Sequence, residues 1–136
     1  MFDRETTAPV VVRVPARPDV VHVLRAVASS IAARLDMPFD AIEEIRIAVD
    51  EASTLLLQLQ TVNRATFVLE LDGSDGALRV VLTAEAADGV WPPADLDDSW
   101  PWRVLRGLCD EVEAIRTDDA PALRFVKLSQ VAGGSR

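Results

Sequence analysis

Ile42-Glu43-Glu44-Ile45-Arg46-Ile47-Ala48-Val49-Asp50-Glu51-Ala52-Ser53-Thr54-Leu55-Leu56 carries the strongest periodic signal in the chain. Apolar side chains recur in and just beyond it at three-and-four spacing, along the line Ile42, Ile45, Val49, Ala52, Leu56 and Leu59. Such a period lines one face of a helix, and it predicts a helix from about Pro38 to Gln58. Glu51 falls one position off this stripe, with Glu44 and Leu55 on its own flank. A carboxylate held there, at the edge of a sheet, could polarise a water or hydroxyl for attack on a phosphate. A solvated acidic flank would have the same spacing.

Upstream, Val10-Val11-Val12-Arg13-Val14 is a β-branched run ended by Pro15, which reads as a strand. Pro18-Asp19 opens a helix whose apolar positions are Val20, Val23, Leu24, Val27, Ile31 and Leu35, and Asp36-Met37-Pro38 breaks it. Downstream, Thr66 to Leu71 and Leu78 to Thr83 are strands joined by a turn over Asp72-Gly73-Ser74-Asp75-Gly76. An irregular stretch rich in Asp and Pro runs from Ala86 to Ser99. Trp102 to Cys109 reads as a short helix. Val112 to Arg116 and Leu123 to Ser129 then read as closing strands around Asp118-Asp119-Ala120-Pro121. Antiparallel hairpins with grouped helices predict an α+β fold, a two-layer sandwich with helices on one face of a mostly antiparallel sheet. Residues 1–136 are read as one domain, with 132–136 a frayed tail.

The 136 residues are 49 % hydrophobic, enough to bury a core without metals or disulfides. A single cysteine, Cys109, excludes an intramolecular disulfide and a cysteine-based zinc cluster. It reads as a small core residue and not as a nucleophile. The net charge of -8, with Lys127 the only lysine and the arginines scattered, argues against a nucleic-acid surface. It suits a basic protein partner or simple solubility. With no long apolar run, neither a signal peptide nor a membrane span is expected, and the predicted location is the cytoplasm.

Within the central helix, Ala48-Val49-Asp50-Glu51-Ala52-Ser53-Thr54 resembles the first motif of the anti-sigma-factor serine kinases, which reads roughly A-V-x-E-A-x-T-N. These are the RsbW-like branch of the GHKL ATPases. The resemblance spans nearly the whole chain, through Arg103-Val104-Leu105-Arg106-Gly107-Leu108-Cys109-Asp110-Glu111-Val112. It implies a GHKL-type fold and a regulator that sequesters a sigma factor until an anti-anti-sigma protein of the STAS type competes. It also implies homodimers and an ATP- and magnesium-dependent kinase activity.

The departures from the family pattern bear on that activity. In the family the motif glutamate, here Glu51, is the general base, and an asparagine four residues later holds magnesium. Here that position is Leu55. One helical turn puts the two side chains on one face, and an isobutyl group offers magnesium no oxygen. The adenine motif D-x-G-x-G falls on Ala86, Asp88 and Val90 without a gap. Sliding it recovers Asp88, followed by Gly89, but sets Val90 in place of the first glycine. The lid motif G-x-G falls on Ser99-Trp100-Pro101, where proline has no backbone donor for a phosphate. No basic residue lies between Arg79 and Arg103, while Glu85, Asp88, Asp95, Asp97 and Asp98 are acidic. The pattern is that of a pseudokinase, with Glu51 a vestigial base, Asp88 and Gly89 remnants of a nucleotide site, and no bound metal or cofactor expected. The alternative is a working kinase that recruits Ser53, Thr54 or Gln58 as a substitute magnesium ligand.

In an ungapped register back from Glu51, the family's partner-contacting arginine falls on Arg25. It lies off the apolar stripe of the first helix and is expected to be exposed. His22 and Ser29 on the same helix complete the candidate partner-binding set. Among Trp91, Trp100 and Trp102, at least one is expected to plug the slot between helices and sheet, with Trp102 the favoured one. Trp91 is left open between core and partner anchor.

Overall fold

The structure, a computed structural model, describes residues 9–59, 62–74 and 76–129. The expected tail at 132–136 and the turn residue Asp75 lie outside the described residues. The elements are β1 (Val10–Pro15), α1 (Val21–Arg34), α2 (Phe39–Leu57), β2 (Thr66–Ser74), β3 (Ala77–Glu85), α3 (Trp100–Leu108), β4 (Glu111–Thr117) and β5 (Ala120–Leu128). This is the order read from the sequence, with short 3₁₀ turns added at Pro18–Val20, Val62–Arg64 and Leu96–Asp98.

The five strands form one sheet in the order β1-β2-β3-β5-β4, every neighbouring pair antiparallel. Strand alternation sends Phe67, Leu69 and Leu71 of β2, Leu78, Val80 and Leu82 of β3, and Leu123 and Phe125 of β5 into the core beneath the helices. Fully burying a side chain such as Phe67 contributes about 2–3 kcal/mol. On the other face, Arg124 of β5 reaches Glu111 and Glu113 of β4, and Arg13 of β1 pairs with Glu85 of β3. The architecture is therefore the expected two-layer α+β sandwich.

Both hairpins are tighter than predicted. Gly73 and Ser74 belong to β2, paired with Leu78 and Ala77, so the first turn starts later than the run of turn-forming residues suggests. Gly73 serves the strand by its lack of a side chain: a Cβ there would stand 2.5 Å from Leu35 Cδ1 at the end of α1. In the second hairpin Thr117 pairs with Ala120, leaving a two-residue turn of Asp118 and Asp119, both with positive φ. Aspartate tolerates that backbone region, which a two-residue hairpin requires. Pro121 joins β5 beyond the last residue paired with β3, so its missing N–H breaks no bond to that neighbour.

Helix α2 is the centre of the helical layer, packed against α1, α3 and the sheet. It consequently buries more than one stripe: Ala41, Ile45, Ala48, Val49, Ala52, Ser53, Leu55 and Leu56 are all buried. Small residues on the facing side of α1, Ala28 and Ala32, let the two helices approach closely. Asp36, at φ 59°, ends the α1 region in a left-handed turn ahead of Met37 and Pro38. No helix among the described residues is long and apolar enough to cross a membrane.

Candidate functional site

The site residues sit on α2, on the facing flank of α1, and on the loop between β3 and α3. Asp50 and Glu51 are successive, so their side chains leave α2 about 100° apart. Asp50 meets α1, where Arg25 Nη1 donates to its Oδ1 at 2.6 Å. Glu51 is half-buried, and no side chain among the described residues hydrogen-bonds its carboxylate. Burial, with the charge of Asp50 adding to it, holds the Glu51 carboxyl above the usual glutamate range. That is the direction a general base requires.

Around Glu51 the geometry is less suited to a phosphate. Leu55, one turn on, is 2 % exposed and part of the hydrophobic core. The Ser53 hydroxyl donates to Val49 O at 2.7 Å and the Thr54 hydroxyl to Asp50 O at 3.0 Å, both turned back along their own helix. Gln58 is exposed at the helix end. Asp88 and Gly89 are exposed in the loop after β3. Gly89 has φ 126°, its carbonyl accepts from Arg116 Nη2 at 3.1 Å, and a Cβ there would lie 3.5 Å from Leu59 Cδ2. The loop thus folds across the C-terminal end of α2.

At the lid position, Ser99 is the N-cap of α3, its Oγ accepting from Trp102 N at 3.3 Å, and Pro101 sits in the first turn. The helix starts at Trp100, two residues earlier than predicted, because of this cap. Trp102 is buried as expected, with its indole N–H unpartnered. Trp91 is also core, and its indole N–H reaches Ile115 O at 3.0 Å and Ala122 O at 3.2 Å. Trp100 is 71 % exposed.

On α1, His22 is exposed, whereas the Ser29 hydroxyl donates to Arg25 O at 2.9 Å. Arg25 corrects the expectation of an exposed arginine: it is half-buried, because the pairing with Asp50 draws its guanidinium against α2. Burial pushes the Cys109 thiol up to about 12, against the smaller opposing pull of Lys127. The thiol stays protonated and unreactive. Among the described residues no group of three or more His, Cys, Asp or Glu side chains comes together to hold a metal ion.

No family model matches the chain. Individual relatives do. Over 112 residues it is 33 % identical to the anti-sigma-F factor RsbW of Mycobacterium tuberculosis (strain H37Rv), an alignment covering 79 % of this chain and 62 % of that one. Over 46 residues it is 41 % identical to the serine-protein kinase RsbW of Bacillus subtilis (strain 168), covering 34 % of this chain and 29 % of the relative. The crystal structure of the RsbU and RsbW domains of a Mycobacterium tuberculosis protein superposes with a TM-score of 0.66, over 90 % of this chain and 32 % of that one, at 14 % identity. The chain is RsbW-like.

The RsbW-like chain spans about three fifths of the length of the Mycobacterium tuberculosis relative, 62 %. The structural likeness, at its low identity, speaks for the fold alone. Two features of the site escaped the sequence reading. Asp50 stands in the motif's variable position, and its pairing with Arg25 requires α1 and α2 to be docked. Lys127, the single lysine, crosses from β5 to Glu44 of α2 at 2.5 Å and donates to Leu108 O at 2.6 Å, joining sheet, α2 and the end of α3. The isolated lysine was the available signal. Its partner is 83 positions away and could not be chosen from sequence.

Proposed function

We propose that this RsbW-like chain is an anti-sigma factor that sequesters a sigma factor by direct binding and releases it when an anti-anti-sigma protein of the STAS type competes. The docking face is α1 around Arg25 and the exposed His22, with Ser29 one turn beyond Arg25 and its hydroxyl donating to Arg25 O. The chain acts as a homodimer in the cytoplasm, as a pseudokinase that needs neither ATP nor magnesium to hold its partner.

The observation that carries the pseudokinase reading is Leu55. It occupies the position of the family's magnesium ligand and is 2 % exposed in the core. Magnesium takes oxygen ligands in near-octahedral geometry, and a side chain packed in hydrocarbon supplies none. The capped start of α3 at Ser99 and Pro101 adds to the misfit, since that backbone serves a helix and does not wrap phosphates. The residues present do not fit a magnesium nucleotide, and we derive no step through one.

A second reading, an active serine-protein kinase, is favoured by one observation: Glu51 is half-buried with a raised carboxyl pKa, as a base would be. Incubating the chain with labelled ATP and its antagonist separates the two. The pseudokinase reading expects no label on the antagonist. Transfer that disappears in Glu51→Ala would overturn it.

A further inference from the structure

The open face of the sheet, turned away from the helices, carries a depression of about 250 Å³ that the regulator reading does not use. Its floor is a pair of facing residues, Val68 of β2 and Thr83 of β3. Glu70 and Glu85 stand two residues farther along the same strands, and Asp118 comes over from the β4–β5 turn. Thr83 is 7 % exposed, and its hydroxyl has no hydrogen-bond partner among the described residues. The residue lines the hollow, so its hydroxyl is within reach of a group that enters there.

The charge around it selects the partner. Glu85 is already neutralised by the guanidinium of Arg13, which shows that the rim can hold such a group. Glu70 and Asp118 have no cationic partner among the described residues. An anion would meet only repulsion from these carboxylates. A cation could donate to one of these carboxylates and to the Thr83 oxygen, while Val68 and Ala120 contact an aliphatic stem.

We propose that this depression is a binding site for an ammonium or guanidinium group carried on a short aliphatic stem. It lies on the face opposite α1 and α2, so its occupation is independent of the partner surface around Arg25. The chemistry is that of an arginine or lysine side chain of a partner protein, or of a free alkylamine.

The test is a titration of the isotope-labelled chain with agmatine, following the backbone amides of Thr83, Glu85, Thr117 and Asp118 by NMR. The neutral analogue butylurea serves as the control. The expected result is saturable shifts at these amides with agmatine and none with butylurea. In the Glu70→Gln/Asp118→Asn variant the affinity for agmatine should fall by about tenfold or more. Thr83→Val, which keeps the shape and removes the hydroxyl, should weaken it further, while the rest of each variant's spectrum reports an intact fold. Absence of saturation, or equal affinity in the charge-neutralised variant, would overturn the proposal. A short peptide with one arginine binding more tightly than agmatine assigns the cation to a protein partner; weaker binding assigns it to a free amine.

Discussion

Arg25 of α1 and Asp50 of α2 are joined by an ion pair of 2.6 Å, immediately before Glu51 in the chain. The pair fastens the proposed docking helix to the helix that carries the family's catalytic glutamate. The two side chains keep 32 % and 43 % of their surface open. The pair is therefore a modest contributor to stability, about 0.2–1 kcal/mol after solvent screening, and remains open to a competing partner.

Arg25→Glu should weaken sigma-factor binding by more than about tenfold, since a guanidinium anchor is replaced by a repelling carboxylate. Combining Arg25→Asp with Asp50→Arg should restore the ion pair and the melting temperature but leave binding impaired. Titration calorimetry and thermal denaturation of the same samples check the two halves. Full recovery of binding in the swapped variant would make the arginine's role purely structural.

Leu55→Asn restores the family's residue at the metal position. Because Leu55 is enclosed in the core, the substitution should cost about 3 kcal/mol of stability, from lost packing and a buried amide. It should confer no affinity for magnesium ATP. Urea denaturation and nucleotide-binding assays are the measurements. A stable variant that binds nucleotide would place the side chain at an open site.

The two core tryptophans should respond differently to substitution by phenylalanine. Trp91→Phe removes a donor that reaches Ile115 O and Ala122 O, carbonyls that also face each other in the β4–β5 ladder, whereas Trp102→Phe removes a donor that has no partner. Trp91→Phe should therefore be the more destabilising, by about 1 kcal/mol in urea denaturation. The opposite order would show that packing around Trp102 outweighs the hydrogen bonds of Trp91.

The helix period of 42–59, the β-branched run at Val10–Val14 and the paired runs flanking the first hairpin state the element order because they depend on local spacing alone. Element ends were read less well. Gly73 and Ser74 look like turn residues and are strand, for the register with Leu78 and Ala77 and the room left for Leu35 are tertiary facts. The same division runs through the site. Glu51 and Leu55 were legible because they share one helix turn, and Arg25 because of a register counted back from the motif. Its half-buried state was not legible, since it depends on Asp50 across a helix interface. The depression around Thr83 draws on four strands and a turn, and nothing in the local spacing of any one of them announces it.

The most direct test of the central claim is calorimetric titration of the nucleotide-free chain with each sigma factor of its host cell, with and without magnesium ATP. One sigma factor should bind with a defined stoichiometry, and magnesium ATP should leave its affinity unchanged. Failure of every sigma factor to bind, or binding that appears only with magnesium ATP, would contradict it.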